Sequence, residues 1–291
     1  MVGDMILKVN LNCIPCMLRQ VLEASKMSSH DQLLQEKCVR EVMAYLFSEE
    51  WNKDLPEVAS NVHRIVKRVT GNFDPYAQLK DMYNRRALEF YPKLKFIVEK
   101  SNDPLLAAAK IAIAGNVIDF GPKVEIDLER EVECLVDSEL AVNDIDKLQN
   151  SLAKSRKILY LADNAGETVF DRILVEELLK QNVRVVYAVK GAPIINDATL
   201  YDAEFAGITS LTKIVSTGTD SIGIIFKECS DEFLREFQDS DLVISKGQAN
   251  YESLNDVRSK QIFFLLKIKC PVIAENINAK TGSLVIIRSK G

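Results

Sequence analysis

The stretch KILYLADNAGETVF, Lys157 to Phe170, packs an apolar strand, a set of oxygen ligands and a helix start into fourteen residues. Ile158, Leu159, Tyr160, Leu161 and Ala162 form a nearly unbroken apolar run, the pattern of a parallel strand buried on both faces. Asp163 and Asn164 stand where that strand should stop, and Gly166 permits a sharp turn. Val169, Ile173, Leu174 and Leu178 then recur at helical spacing, so a helix is expected from Glu167, whose carboxylate suits the positive N-terminal end. A carboxylate and an amide thus come to the carboxyl edge of a strand, where open α/β sheets bind ligands.

Downstream the pattern repeats. VRVVYAVKG, Val183 to Gly191, reads as a second strand, and further strands are expected at Lys213 to Gly218, Asp241 to Gly247, Pro271 to Asn276 and Ser283 to Arg288. Helices are expected between most of them, including SDEFLREF and the run Phe263 to Ile268. Strands alternating with helices imply a mostly parallel sheet with right-handed crossovers, and Ser283 to Arg288 can pair antiparallel after the turn at Gly282.

Upstream of Lys157 the character changes. Apolar residues recur at helical spacing from Cys13 to Met27, from the candidate cap Asp31 to Phe47, from Glu57 to Thr70 and from Pro75 to Val98, with an interruption expected near Pro92. Pro104 to Ala114 is apolar nearly all round and reads as a buried helix. Only the short ILKV near the start resembles a strand. The fold class is therefore α/β, with a mainly α-helical domain over residues 1–150 and an α/β domain with a mostly parallel sheet over residues 151–291.

Bulk properties exclude several function classes. A net charge of -5 and a pI near 5.4 argue against a nonspecific nucleic-acid partner, which wants a basic footprint. No run reaches the roughly 18 apolar residues of a membrane span. The start MVGDMILKVN lacks a basic n-region followed by a long apolar core, so a cytoplasmic protein with no membrane partner is expected. Six cysteines are too few for a disulfide scaffold, and reduced thiols are expected. The chain holds only two histidines, His30 and His63, and neither lies near Asp163, which argues against a histidine-ligated zinc enzyme. Cys13 and Cys16 form CIPC at a helix start, where a thiol pKa can fall; structural, metal and redox roles stay open for them.

The residues that follow the strands are Asp163 and Asn164, then Lys190 and Asp197, then Gly218, then Lys246 with Gln248 and Asn250, then Glu275 and Asn276. In a parallel sheet these ends share one edge and converge on one cleft. Acidic and amide oxygens favour a hard divalent cation such as Mg2+ or Mn2+, whereas the lysines, Asn250 and the loop STGT suit an anion, most simply a phosphate. GTGTDSIG is not a Walker A loop, because Ile224 stands where Lys is needed, and no GxGxxG follows the first strand. An aspartyl phosphatase of the DxD type is also a poor match, since Ala165 stands two residues after Asp163. Two upstream loops carry further polar residues. NFDPYAQLKDMYNR, with Asp74, Lys80 and Asn84, reads as a cap and a solvated helix face. In AGNVIDFG, Asp119 sits among Val117, Ile118 and Phe120, where a carboxylate needs a partner or a cation, and capping is equally possible.

Taken in order, CIPC, DPY with Lys80, AGNVIDFG, LADNAGE, the IND of APIINDAT and ISKGQANYE resemble the damage-control phosphatases, a family long catalogued as a domain of unknown function. The resemblance implies a helical domain joined to a Rossmann-like α/β domain, and metal-dependent hydrolysis of phosphate monoesters of small metabolites. It implies that Asp163, Asn164 and Asp197 bind a divalent cation, Mn2+, Ni2+, Mg2+ or Co2+. Lys246 then contacts phosphate, Asn116 and Asp119 close the site from the helical domain, and Glu167 and Asn250 join the substrate-binding set. Asp163 and Lys246 are the catalytic candidates, with water preferred over Asp163 as nucleophile because a carboxylate committed to a cation is hindered. CIPC resembles the marker of one branch, whose expected substrates are damaged nucleotides, their precursors or sugar phosphates. A methyltransferase using S-adenosylmethionine and a noncatalytic metal or redox sensor are the alternatives.

Overall fold

The computed structural model describes residues 7–115 and 135–290. Three helices come first: α1 (Cys13–Ser28), α2 (Gln32–Ser48) and α3 (Leu55–Thr70). Asp31 caps α2 by accepting from the Leu33 amide at 2.9 Å, and Gly71 ends α3 with φ 69, a conformation that a side chain disfavours. Met17 and Val21, Val42 and Leu46, and Val58, Val62 and Val66 turn inward from these helices to one shared core.

α4 (Ala77–Lys100) runs through Pro92 without the expected interruption. An interior proline costs a helix about 3 kcal/mol. Burial of Ala87, Leu94 and Val98 on either side offsets that cost, since each large apolar side chain removed from water contributes about 1.5–3 kcal/mol. α5 (Pro104–Ala114) is buried as expected. α5 and the body of α4, through Ala87, Leu94 and Val98, share a core with the sheet, while Leu79 in the first turn of α4 packs against the core of α1 to α3.

The sheet is built from β1 (Val142–Asn143), β2 (Lys157–Leu161), β3 (Arg184–Val189), β4 (Lys213–Ser216), β5 (Leu242–Lys246), β6 (Ile262–Lys267) and β7 (Leu284–Arg288). Its order is β1-β7-β6-β5-β2-β3-β4, and only the β6–β7 pair is antiparallel. Connecting helices are α6 (Ile145–Leu152), α7 (Glu167–Leu179), α8 (Leu200–Phe205), α9 (Asp231–Asp239), α10 (Gln248–Leu254) and α11 (Pro271–Ile277). Along β2, Ile158 and Tyr160 face the core shared with α4, α5 and α7, while Leu159 and Leu161 face the core shared with α9 to α11. Because β2 pairs with β3 on one side and β5 on the other, the chain order reverses there, and a crevice opens at the carboxyl ends of β2 and β5.

Two expected elements exchange identities. Ile262–Lys267 is a strand where a helix was expected, and Pro271–Ile277 is a helix where a strand was expected. A six-residue apolar run carries no periodicity that separates strand from buried helix. Pro271 is the deciding residue for the second segment, since proline fits the first helical turn, where its missing N–H is not needed. Glu275 and Asn276 accordingly ride on a helix, not at a strand end. ILKV forms no strand among its described residues; Lys8 makes an isolated bridge with Asp54. Among the described residues no helix is long and apolar enough to cross a membrane.

Candidate active site

Two loops leave adjacent strands at the switch point and pair with each other. Asp163 to Gly166 follows β2, and Ile194 to Thr199 follows β3. The Ala198 amide donates to the Asp163 carbonyl at 2.8 Å, the Ala165 amide donates to the Asn196 carbonyl at 2.8 Å, and Asn164 bridges Asp197. The backbone thus carries Asp163, Asn164 and Asp197 side by side. Gly166 turns the first loop with φ 80. In the second, Ile195 is β-branched yet sits at φ 43, two residues before Asp197, a strain of about 1–3 kcal/mol held by the surrounding contacts.

Room for the Asp163 carboxylate comes from Gly247, after β5. A Cβ at Gly247 would run into that carboxylate, and φ 78 there is itself a glycine conformation. The Asn164 amide donates to Asp163 Oδ2 at 2.9 Å and to Glu167 Oε1 at 2.6 Å. Asp197 Oδ2 lies 3.5 Å from Lys190 Nζ, which also donates to the Gly223 carbonyl. Burial pushes the Asp197 carboxyl up to about 6 against the pull of Lys190.

Lys246 and Asn250 do not reach the cleft. Lys246 is fully buried, with its ammonium 2.6 Å from Asp171 Oδ1 and 3.2 Å from Glu167 Oε2. Burial opposes its charge, but Asp171 and Glu167 outweigh that and raise its pKa. Glu167 is pushed up to about 7 by burial, with Lys246 opposing. Asp171, missed in the sequence, also accepts from the hydroxyls of Tyr160 and Tyr187 at 2.7 Å each. A polar chain therefore runs from these tyrosines through Asp171, Lys246 and Glu167 to Asn164. The reason for the misplacement is geometric: side chains alternate along a strand, and Lys246, the last residue of β5, falls on the face covered by α7. Asn250 donates to the carbonyls of Ala162 at 3.0 Å and Lys246 at 2.9 Å, clamping the ends of β2 and β5 together. Asn116 and Asp119 lie outside the described residues.

Asp163, Asn164 and Asp197 line a cavity of about 290 Å³. The same cavity is lined by Cys13, Cys16 and Cys270, with Glu252 close to Cys13. CIPC, which sequence spacing left unattached, is therefore part of the same cavity, and Cys270 arrives from the N-cap of α11. All described cysteines are free thiols. Burial pushes the Cys13 thiol up, so the helix start does not make it a ready thiolate. Glu252 is pushed up to about 7 by burial and accepts from Gln248 at 2.9 Å. Lys269 is the one cation among the described lining residues; it is exposed and makes no ion pair among the described residues. Lys269 stands just past β6, where the sequence pattern predicts the end of a helix over Phe263 to Ile268 and so no strand-end cation.

The donor set suits a hard cation. Among the described residues no three His, Cys, Asp or Glu side chains are grouped closely enough to cage an ion. Two carboxylates and an amide at one edge instead suit an ion that keeps several waters, as Mg2+ does when bound through one or two carboxylates.

Residues 9–285 match the family described as the damage-control phosphatase ARMT1-like domain. The chain belongs to this family. Damage-control phosphatase PH1575 of Pyrococcus horikoshii is 36% identical over 290 residues, covering 98% of this chain and 99% of that protein. Uncharacterized protein MJ0202 of Methanocaldococcus jannaschii is 39% identical, covering 97% of this chain and 95% of that one. The crystal structure of a DUF89 family protein from Pyrococcus horikoshii superposes with a TM-score of 0.88 at 35% identity, covering 98% of this chain and 100% of that chain. The likeness to the damage-control phosphatases spans both the helices that open the chain and the sheet.

Proposed function

We propose that the chain is a metal-dependent phosphatase that hydrolyses phosphate monoesters of small metabolites, in a damage-control role on damaged nucleotides, their precursors or sugar phosphates. The observation that carries this reading is the pairing of two loops at the switch point of the sheet, which sets Asp163, Asn164 and Asp197 on one cavity. A divalent cation held there, with Mn2+, Mg2+, Ni2+ and Co2+ as candidates, supplies Lewis-acid polarisation of a phosphoryl oxygen. Lys269 offsets the remaining phosphate charge, the role that the family resemblance implies for Lys246. Lys246 instead fixes Glu167, which holds the Asn164 amide. Cys13, Met17, Ile222 and Val272 give the organic part of the ester an apolar wall that excludes water.

The test is phosphate release from a chromogenic ester and a panel of sugar phosphates and nucleotides, with each of the four cations and with none. Metal-dependent release supports the reading, and Lys269→Ala should then raise KM about 10-fold or more, the loss of one charge-assisted hydrogen bond. No release from any ester with any cation would overturn it.

A further inference from the structure

Asn84 reads as a solvated helix residue in the sequence, yet it is fully buried. It lies in the second turn of α4, and both ends of its amide are used. Oδ1 accepts from the Gly166 amide at 2.7 Å, and Nδ2 donates to Asp202 Oδ1 at 2.7 Å. Asp202, also fully buried, uses Oδ2 to accept from the Thr199 amide at 2.7 Å and the Thr199 hydroxyl at 2.8 Å. Gly166 closes the loop that carries Asp163 and Asn164, and Thr199 closes the loop that carries Asp197. Capping of α8 explains only one oxygen of Asp202; the other is bound by a residue 118 positions earlier in the chain. Tyr83, the neighbour of Asn84, lies 3.0 Å from where a Cβ on Gly166 would stand, so one turn of α4 pins that loop by contact and by hydrogen bond.

We infer that Asn84 and Asp202 are positioning residues, a buried strut from α4 that sets the spacing of the two loops and thereby the affinity of Asp163, Asn164 and Asp197 for their cation. The inference rests on the proposed metal site. Removing the strut leaves the Gly166 amide and one Asp202 oxygen without partners in a dry interior. Partners that orient metal ligands from behind typically matter 10–100-fold in metal affinity.

The test compares wild type, Asn84→Ala, Asn84→Asp and the reciprocal double variant N84D/D202N by calorimetric titration with Mn2+. Asn84→Asp sets two carboxylates against each other. The double variant restores every bond with roles exchanged: the carboxylate at position 84 accepts from Gly166 and from the amide at position 202, whose oxygen accepts from Thr199. We expect Mn2+ binding about 10–100-fold weaker in both single variants and within about 3-fold of wild type in the double variant. Folded single variants that bind Mn2+ as tightly as wild type, or a folded double variant no tighter than Asn84→Asp, would overturn the strut. Absence of Mn2+ binding in wild type would count against the proposed function instead. The strut is then read from hydrogen exchange at the Gly166 amide, expected faster in Asn84→Ala and restored in the double variant; unchanged exchange overturns it.

Discussion

The two walls of the cavity differ in how they are held as much as in what they present. Asp163, Asn164 and Asp197 form an oxygen wall backed by paired loops, the Asn84–Asp202 contact and the buried Lys246 cluster. Cys13, Cys16 and Cys270 form a sulfur wall that comes from two helix starts and is held by packing, with the Gln248 amide 3.5 Å from the Cys270 sulfur. Polar networks satisfied on every side fix geometry, whereas apolar packing fixes volume and tolerates exchange. The difference separates two kinds of surface: the oxygen wall is held in position by polar bonds, the sulfur wall by packing that sets a volume.

Lys246→Met attacks the foundation of the oxygen wall while keeping volume. It strands the Asp171 and Glu167 carboxylates in the interior, and the expected loss is about 3–5 kcal/mol in denaturant unfolding. A change below about 1 kcal/mol would mean that the cluster does not hold the wall, and the contrast between the walls would fail.

That cluster also shows where the sequence stops being legible. The run Ile158 to Ala162 followed by Asp163 announces its strand and its ligand edge without help, because a buried parallel strand is apolar throughout and its polar exit stands out. Lys246 exits its strand in the same way, yet points into the interior. Which face the last residue of β5 takes depends on the packing of α7, a contact between segments far apart in sequence. Asn84 is hidden for the same reason. Charged residues stand close by in the sequence, Asp81 before it and Arg85 and Arg86 after it, and only the arrival of Gly166 and Asp202 gives its amide work. The exchange of Ile262–Lys267 with Pro271–Ile277 has a local cause, since short apolar runs fit either element, and the sheet chooses.

His63 lies behind the sulfur-wall side of the cavity, 3.4 Å from the oxygen of Gln20. Burial pushes its pKa down to about 4, with Lys67 adding to the effect. A folded-state value below the unfolded one means that the unfolded chain takes the proton first as pH falls. Its contribution is therefore present above about pH 6.5 and is lost progressively toward about pH 4, by roughly 3 kcal/mol. Urea unfolding at about pH 7.5 and about pH 4 should show His63→Gln losing less stability than wild type by that amount. Equal losses would place His63 in contact with water.

The smallest effect is expected on the sulfur wall itself. Cys13→Ser with Cys16→Ser should leave kcat on a small ester within about 3-fold, while KM for larger esters rises, because a hydroxyl fits a thiol's space but presents a polar surface. A collapse of kcat on the small ester would move the thiols into the chemistry and erase the division between the walls.

The central claim is that the oxygen wall holds the cation on which hydrolysis depends. It is tested most directly by stripping the protein with a chelator, restoring Mn2+ stepwise, and following phosphate release by wild type and Asp163→Ala. The account predicts no release from the stripped wild type, saturable recovery with Mn2+, and no recovery in folded Asp163→Ala at any concentration. Full turnover by the stripped enzyme, or by Asp163→Ala, would contradict it.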